Sequence, residues 1–471
     1  MNEQGLPVVA IVGRPNVGKS TLFNALTRTR DALVADMPGV TRDRIYGRAV
    51  IEDQPLLLID TGGLETAQDE VGTGRERQTR LAVEEADLVL LMTDARAGIA
   101  PADQEIVGWL RTLGKPVIHV INKSDGLDPD MILGESLSLG LDPYCLVSAT
   151  HRRGLESLSE LLVEHLPEVL TPAPMATDDA IHLALIGRPN TGKSTLLNRL
   201  LGEERALATP VAGTTRDPIH AEVVRDGQRL HLVDTAGIRR RRGSHEGLER
   251  FSTIKALQAM ERAQVVVLML DATEGVTEQD ARLAGHVMQA GRALVVALNK
   301  WDGLAQAQRK TVLVDIGERL QFARHAPVVT ISALHGSGLG PLHSAVTHVY
   351  RCARIELSTP ALTRTLRSAV EAHPPPGGKG GAPKLRYAHA GGQFPTRIVI
   401  HGSRTRQLPD QYRRYLVNRF RSAFDLTGAA VHLVFRDGDN PYAGRRNVLT
   451  PRQVQKRKRL RKFTSRNKKR R

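Results

Sequence analysis

One pattern constrains this chain more than any other, and it occurs twice. Gly13-Arg14-Pro15-Asn16-Val17-Gly18-Lys19-Ser20 follows an apolar run, Val8 to Val12, that reads as a buried strand. It precedes Thr21 to Leu26, which has the spacing of a helix start. Strand, G-x-x-x-x-G-K-S and helix in that order is the context of a phosphate-binding loop. The two glycines let backbone N–H groups close around a di- or triphosphate, the lysine brings a point charge, and the serine offers a hydroxyl to Mg²⁺. The helix N-terminus adds partial positive charge. Gly187-Arg188-Pro189-Asn190-Thr191-Gly192-Lys193-Ser194 repeats the pattern 174 residues later, after the apolar run Ile181 to Ile186. A period of that size is a duplicated domain, not a short solenoid repeat.

The segments between the loops repeat as well. Thr41, in Gly39-Val40-Thr41-Arg42-Asp43, can reach a metal when a γ-phosphate is present, and Thr215 follows it by 174 residues. Leu56 to Ile59 reads as a strand ending in Asp60-Thr61-Gly62-Gly63, matched by Asp234-Thr235-Ala236-Gly237. In each, the aspartate suits the water shell of a metal, and the last glycine N–H suits a γ-phosphate. Leu88 to Met92 and Val117 to Ile121 read as further strands. The latter ends in Asn122-Lys123-Ser124-Asp125, matched by Asn299-Lys300-Trp301-Asp302 at a displacement of 177. A carboxylate at Asp125 or Asp302 accepts from the adjacent N1–H and N2 amino donors of guanine, a pair that adenine lacks; such a polar site rejects the wrong base by leaving groups unpaired. Ser148-Ala149-Thr150 and Ser332-Ala333-Leu334 close each set, with backbone suited to the guanine O6. Every motif falls where an apolar strand ends, the side of an open α/β sheet on which ligands bind.

At about 150 residues per domain, 471 residues suggest three domains. Aromatic residues make up only 4% of the chain, so the cores are expected to be aliphatic. The net charge is +16, but Arg445 to Arg471 alone holds 14 Lys or Arg and no acidic residue, leaving the rest at +2. A nearly neutral body with a basic arm points to nucleic acid or an anionic surface. The tail has one aromatic, Phe463, and is expected to bind phosphates without reading bases. Cys145 and Cys352 form no C-x-x-C pair, so neither a disulfide framework nor a zinc cluster is suggested. No apolar run is long enough to span a bilayer and no secretion signal is apparent, which favours a cytoplasmic location.

Proline and acidic residues between Pro167 and Ala180 read as a linker. The expected division is a G domain over 1–166, the linker over 167–180, a second G domain over 181–354, a smaller domain over 355–443 and a basic tail over 444–471. In the smaller domain, Pro360 to His373 is helix-compatible, and Leu385 to His389 and Thr396 to Ile400 read as strands. Leu408, Tyr412, Leu416, Phe420 and Phe424 recur every four residues, with Arg414 and Arg421 placed opposite, and Val431 to Phe435 reads as a last strand. The letters of a KH G-x-x-G loop occur at Gly377 to Gly380, but between a helix and a strand, so they read as a loop. The segment after the third motif differs between the repeats: Ile238-Arg239-Arg240-Arg241-Arg242 against Leu64-Glu65-Thr66-Ala67-Gln68. A basic run at this place can couple nucleotide state to contact with RNA or a neighbouring domain.

Two tandem G domains carrying G-R-P-N-x-G-K-S and N-K-x-D, followed by helix–strand–strand–helix–strand, resemble the bacterial double-GTPase family Der (EngA) over nearly the whole chain. The fold class implied is α/β: two P-loop GTPase domains, each a mostly parallel sheet with helices on both faces, then an α+β KH-like domain and a disordered basic tail. The resemblance implies GTP and GDP binding, hydrolysis with Mg²⁺, and ribosome-associated action on the large ribosomal subunit and its rRNA; a protein activator is left open. Lys19, Thr41, Gly63, Lys193, Thr215 and Gly237 are the expected catalytic positions. Ser20, Thr41, Ser194 and Thr215 are the expected Mg²⁺ ligands. Ras-like enzymes place a water-orienting glutamine where this chain has Leu64 and Ile238. Neither side chain can hydrogen-bond, so unaided turnover is expected to be slow. Related GTPases use a K⁺ ion held partly by the P-loop asparagine, here Asn16 and Asn190. The alternative reading is a nucleotide-dependent RNA-binding scaffold in which only one G domain hydrolyses GTP appreciably.

Overall fold

The computed structural model describes residues 6–27, 46–52, 54–61, 80, 83–166, 180–203, 221–233, 253–377 and 381–437. The expectations for Thr41, Gly62, Gly63, Leu64, Thr215, Asp234, Thr235, Ala236, Gly237 and Ile238 lie outside the described residues, as do those for segment 239–242, residues 167–179 and the basic tail.

The first sheet contains β1 (Val8–Val12), β2 (Tyr46–Ile51), β3 (Gln54–Asp60), β4 (Leu88–Asp94), β5 (Val117–Asn122) and β6 (Tyr144–Leu146), in the order β2-β3-β1-β4-β5-β6. All pairs are parallel except β2 with β3. Its helices are α1 (Lys19–Thr27), α2 (Pro101–Leu113), α3 (Pro129–Ser136) and α4 (Leu155–His165). The apolar strands are continuous because both faces are covered. Val8, Ala10, Val12, Val89 and Leu91 join one cluster with Ile106, Val107 and Leu110 of α2. The alternate residues Val9, Ile11, Leu88, Leu90 and Met92 join another with Leu22, Phe23 and Leu26 of α1 and Leu158 and Leu162 of α4. Period-two alternation thus divides one strand between two aliphatic layers.

The second sheet repeats this plan with β7 (Ile181–Ile186), β8 (Ala221–Arg225), β9 (Gln228–Leu232), β10 (Val265–Asp271), β11 (Ala293–Asn299) and β12 (Val328–Thr330), in the order β12-β11-β10-β7-β9-β8. Its helices are α5 (Lys193–Glu203), α6 (Thr253–Arg262), α7 (Glu278–Gln289), α8 (Gln306–Arg319) and α9 (Leu339–Arg354). The antiparallel strands β2 and β8 are not among the strands expected from the apolar runs. Asp226-Gly227, at φ 49° and 76°, supplies the two left-handed residues that a tight β8–β9 hairpin needs.

The last unit is α10 (Thr359–Ala372), β13 (Lys384–Gly392), β14 (Thr396–Ser403), α11 (Asp410–Ala423) and β15 (Val431–Asp437). Its sheet runs β13-β14-β15, antiparallel then parallel. Tyr412, Leu416 and Phe420 of α11 are buried, and Arg414 is exposed. Arg421 corrects the expectation of a solvent-facing arginine. It lies half-buried beside His325, and burial pushes its guanidinium down to about 10.

The three units share cores. The cluster containing β1 and α2 continues into Ile254, Leu257 and Met260 of α6. The cluster containing β7 and α9 continues into Leu362, Leu366, Leu416 and Phe420 of the last unit. Leu294 N donates to Gly428 O (2.9 Å), and Gly428 N donates to His325 O (2.8 Å). A Cβ at Gly428 would press into Val349, which explains why the turn before β15 carries a glycine there.

Candidate nucleotide sites

Both phosphate-binding loops lie at the carboxyl end of a central strand, where the crossovers leave β1 and β7 in opposite directions; this is the switch point at which open sheets bind ligands. Gly18 and Gly192 have φ of 101° and 94°. A Cβ on either would collide with the amide Nδ2 of Asn122 or Asn299, so only glycine fits. Asn16 and Asn190, at φ 66° and 64°, hold the left-handed turn before the second glycine. Val17 and Thr191 are buried beneath the loops, and Pro15 and Pro189 complete them.

Asn122 and Asn299 brace the sites from within. Asn122 Nδ2 donates to Val17 O (2.8 Å), and its Oδ1 accepts from Ala149 N (3.0 Å). Asn299 does the same with Thr191 O and Ala333 N, both at 2.8 Å. One buried side chain therefore ties the phosphate loop to the last motif in each repeat. Lys19 Nζ donates to Gly13 O (2.8 Å) and Arg14 O (2.7 Å), and Lys193 Nζ to Arg188 O (2.5 Å). The ammonium groups are thereby held inside their loops.

Ser20 Oγ donates to Asp60 Oδ2 at 2.6 Å, and Thr61 Oγ1 donates to Ile11 O at 2.7 Å. A hydroxyl and a carboxylate converging at the first turn of α1 form the hard-oxygen donor set that suits Mg²⁺. Ser194 takes the corresponding position on α5, while Asp234 lies outside the described residues.

At the base end, Lys123 and Lys300 are themselves in left-handed conformations, φ 63° and 61°. Lys123 Nζ contacts Asp94 Oδ2 (2.6 Å) and Asn16 O (2.9 Å); Lys300 Nζ contacts Asp271 Oδ2 (2.5 Å). Burial pushes the Asp94 and Asp271 carboxyls up, but the lysines and local donors outweigh it and leave both below the ordinary value. Asp94 and Asp271 were missed in the sequence, although both end apolar strands and are 177 residues apart.

Ser148 Oγ donates to Asp125 Oδ1 (2.8 Å). That bond, joined by Arg96 and His151, holds the Asp125 carboxyl below the usual range; the Ser332 bond does the same for Asp302, with His335. The serine side chain of the last motif thus holds the Asp125 and Asp302 carboxylates in place, a part not visible in the sequence. Ser124 is turned onto Val147 O (3.0 Å), and Trp301 lies under the Arg309 guanidinium at 5.5 Å. Arg14 and Arg188 point away from the loops. Arg14 Nε meets Asp103 at 3.2 Å, and Arg188 meets Asp280 at 3.0 Å and Glu274 at 2.8 Å.

Comparison with known proteins matches residues 8–123 and 182–300 to the model of the 50S ribosome-binding GTPases, and residues 356–436 to the C-terminal KH-domain-like unit of EngA bacterial GTPases. "GTPase Der" of Thioalkalivibrio sulfidiphilus is 52% identical over 97% of this chain and 98% of its own length. "GTPase Der" of Shigella flexneri is 48% identical over 98% of this chain and 100% of its own. Among solved structures, Era in complex with MgGDPNP and a 16S ribosomal RNA segment is 30% identical, covering 43% of this chain and 70% of its own, with a TM-score of 0.32. Duplicated loops, braces and base-end carboxylates, together with near full-length identity of this order, place the chain in the Der (EngA) family of GTPases.

Proposed function

We propose that both repeats bind a guanine nucleotide with Mg²⁺ and hydrolyse GTP, and that their nucleotide states gate attachment of the chain to rRNA of the large ribosomal subunit in the cytoplasm. The observation that carries this reading is the asparagine brace, built twice with the same partners. Lys19 and Lys193 are assigned to the β- and γ-phosphates. Ser20 and Ser194 are assigned to Mg²⁺ with Thr41 and Thr215, Asp60 and Asp234 to the metal's waters, and Asp125 and Asp302 to the guanine edge. Mg²⁺, when bound, neutralises charge building on the transferred phosphoryl group. Gly63 and Gly237 offer their N–H groups to the γ-phosphate. With Leu64 and Ile238 unable to orient water, turnover is slow without a further cation. Asn16 and Asn190 are assigned to K⁺. The working boundaries remain 166, 181, 354 and 443.

Steady-state GTP turnover of the full chain, in K⁺ and in Na⁺, tests this reading with Lys19→Ala and Lys193→Ala made separately. Each variant should lose one site's share, and K⁺ should accelerate what remains. Full activity in either variant would mean that the other repeat performs all the hydrolysis. That second reading draws support from Arg96, which sits on Asp125 in the first site (2.7 Å) and has Thr273 as its counterpart in the second.

A further inference from the structure

The basic tail supplies charge but only one aromatic, Phe463, so it offers little surface on which bases can stack. The sheet of the last unit offers a place. Ala388, Ile398 and Ile400 face α10 and α11 and are buried. The alternate residues lie on the other face, where Val399 is buried and His432 meets Met288 O at 3.2 Å; the exposed part is the row in which Tyr387 pairs with His401 and His401 with Arg436. The Tyr387 and His401 rings are stacked, with centroids 4.5 Å apart and planes 6° from parallel. His389 Nε2 lies 3.2 Å from His401 Nε2 in the next row. Tyr387 remains 42% exposed, and β13 is an edge strand, so the ring face turned from His401 borders open solvent. Arg436 and Arg397 are exposed, and among the described residues neither pairs with a carboxylate. Asp437 is occupied by Thr405 N at 2.8 Å.

From this arrangement we propose that the outer face of the β13–β15 sheet binds single-stranded RNA, with a base continuing the Tyr387–His401 stack and the adjoining phosphates held by Arg436 and Arg397. Every base has a π-face, so such a platform is tolerant of sequence. Burial, His389 and Arg436 lower the His401 pKa from its ordinary value. A protein ligand would call for an apolar surface here, whereas the row ends in cations. The inference rests on the rRNA-binding reading and specifies where a strand is held.

The test uses the full chain and a labelled uridine oligomer of about twelve nucleotides, with a blunt RNA duplex as control. Tyr387→Ala should weaken single-strand binding about 5- to 150-fold, and Tyr387→Phe should retain it. Arg436→Gln should lower the salt slope by about one. Duplex binding and GTP turnover should be unchanged in all three. If Tyr387→Ala binds the oligomer as wild type does while ribosomal particles are still bound, this face is not the platform and the rRNA reading stands. Should wild type bind neither oligomer nor particles, both readings fall. A variant that keeps RNA binding but expands hydrodynamically would make the face an intramolecular contact, and the inference falls.

Discussion

The two nucleotide sites share one scaffold and differ at its edges. At the base end of the first, Asp125 is engaged by the Arg96 guanidinium at 2.7 Å as well as by Ser148. In the second, Asp302 meets His335, at 3.3 Å, and its serine, and no arginine among the described residues. At the phosphate end the asymmetry reverses. Arg14 reaches one carboxylate, while Arg188 reaches two because Glu274 stands where the first repeat has Ala97. Arg96 Nη2 donates to Asp125 Oδ2 and to the Asp125 backbone O, so under the proposed assignment of Asp125 to the guanine edge it competes with the base. Duplication kept the braces and let the competitors vary.

Removing the loop ammonium is the harshest way to break the comparison. Lys19→Ala and Lys193→Ala should each lower their own site's turnover about 10²- to 10³-fold, the scale for a lost charge-stabilising donor. Single-turnover assays with the other site blocked should give similar losses. Unequal losses would mean that the sites differ in chemistry and not only in access.

Next in size is the anchoring of the phosphate loops. Asp103 and Asp280 are both fully buried. Without its arginine, Asp280 keeps Thr277 N (3.0 Å) and Thr277 Oγ1 (2.7 Å), whereas Asp103 keeps, among the described residues, Ala100 N (3.0 Å). Arg14→Ala should cost about 2–3 kcal/mol and Arg188→Ala about 1 kcal/mol, because a buried carboxylate short of partners is the expensive case. Hydrogen exchange of α2 and α7 would report each domain separately; equal losses would discount the threonine cap.

How much of this was legible in the sequence depended on range. The phosphate loops and base-end motifs were readable because each couples strand, glycine and helix within about eight residues. Asp226-Gly227 carried a local hairpin signal as well, and β8 was nevertheless passed over. The asparagine braces were not legible: Asn122 and Val17 stand 105 residues apart, and nothing in N-K-x-D reveals that its amide is spent inside the protein. Arg421 was misplaced for a related reason. Helical periodicity sets it opposite Leu416, but it cannot foresee that His325 of another unit lies against that side. The shared aliphatic layers likewise join positions hundreds of residues apart.

Arg96→Ala tests the competitor directly. An exposed ion pair is a weak one, so first-site affinity for GDP should rise only about 1.5- to 5-fold, measured by titration with a fluorescent analogue. Thr273→Arg should lower second-site affinity by a similar factor. No change in either would sever the link between Arg96 and nucleotide access.

The smallest effect concerns the lysine clamps on Asp94 and Asp271. Both carboxyls sit below their ordinary 3.8 in the folded chain, so each contributes stability that is fully present above that pH and is lost as pH falls through the folded value. Lys123 and Lys300 are 38% and 44% exposed, so screening limits each contribution to less than about 1 kcal/mol. The clamps are not equal, however. Thr273 Oγ1 donates to Asp271 at 2.6 Å, while Arg96 offers Asp94 only its backbone N–H at 2.9 Å. Thr273→Ala should therefore move the Asp271 titration toward higher pH and leave Asp94 where it is. Carboxyl-carbon NMR titration of both residues would resolve the two curves. A shift of Asp94 along with Asp271 would mean that the two sites are electrostatically coupled and cannot be treated as independent copies.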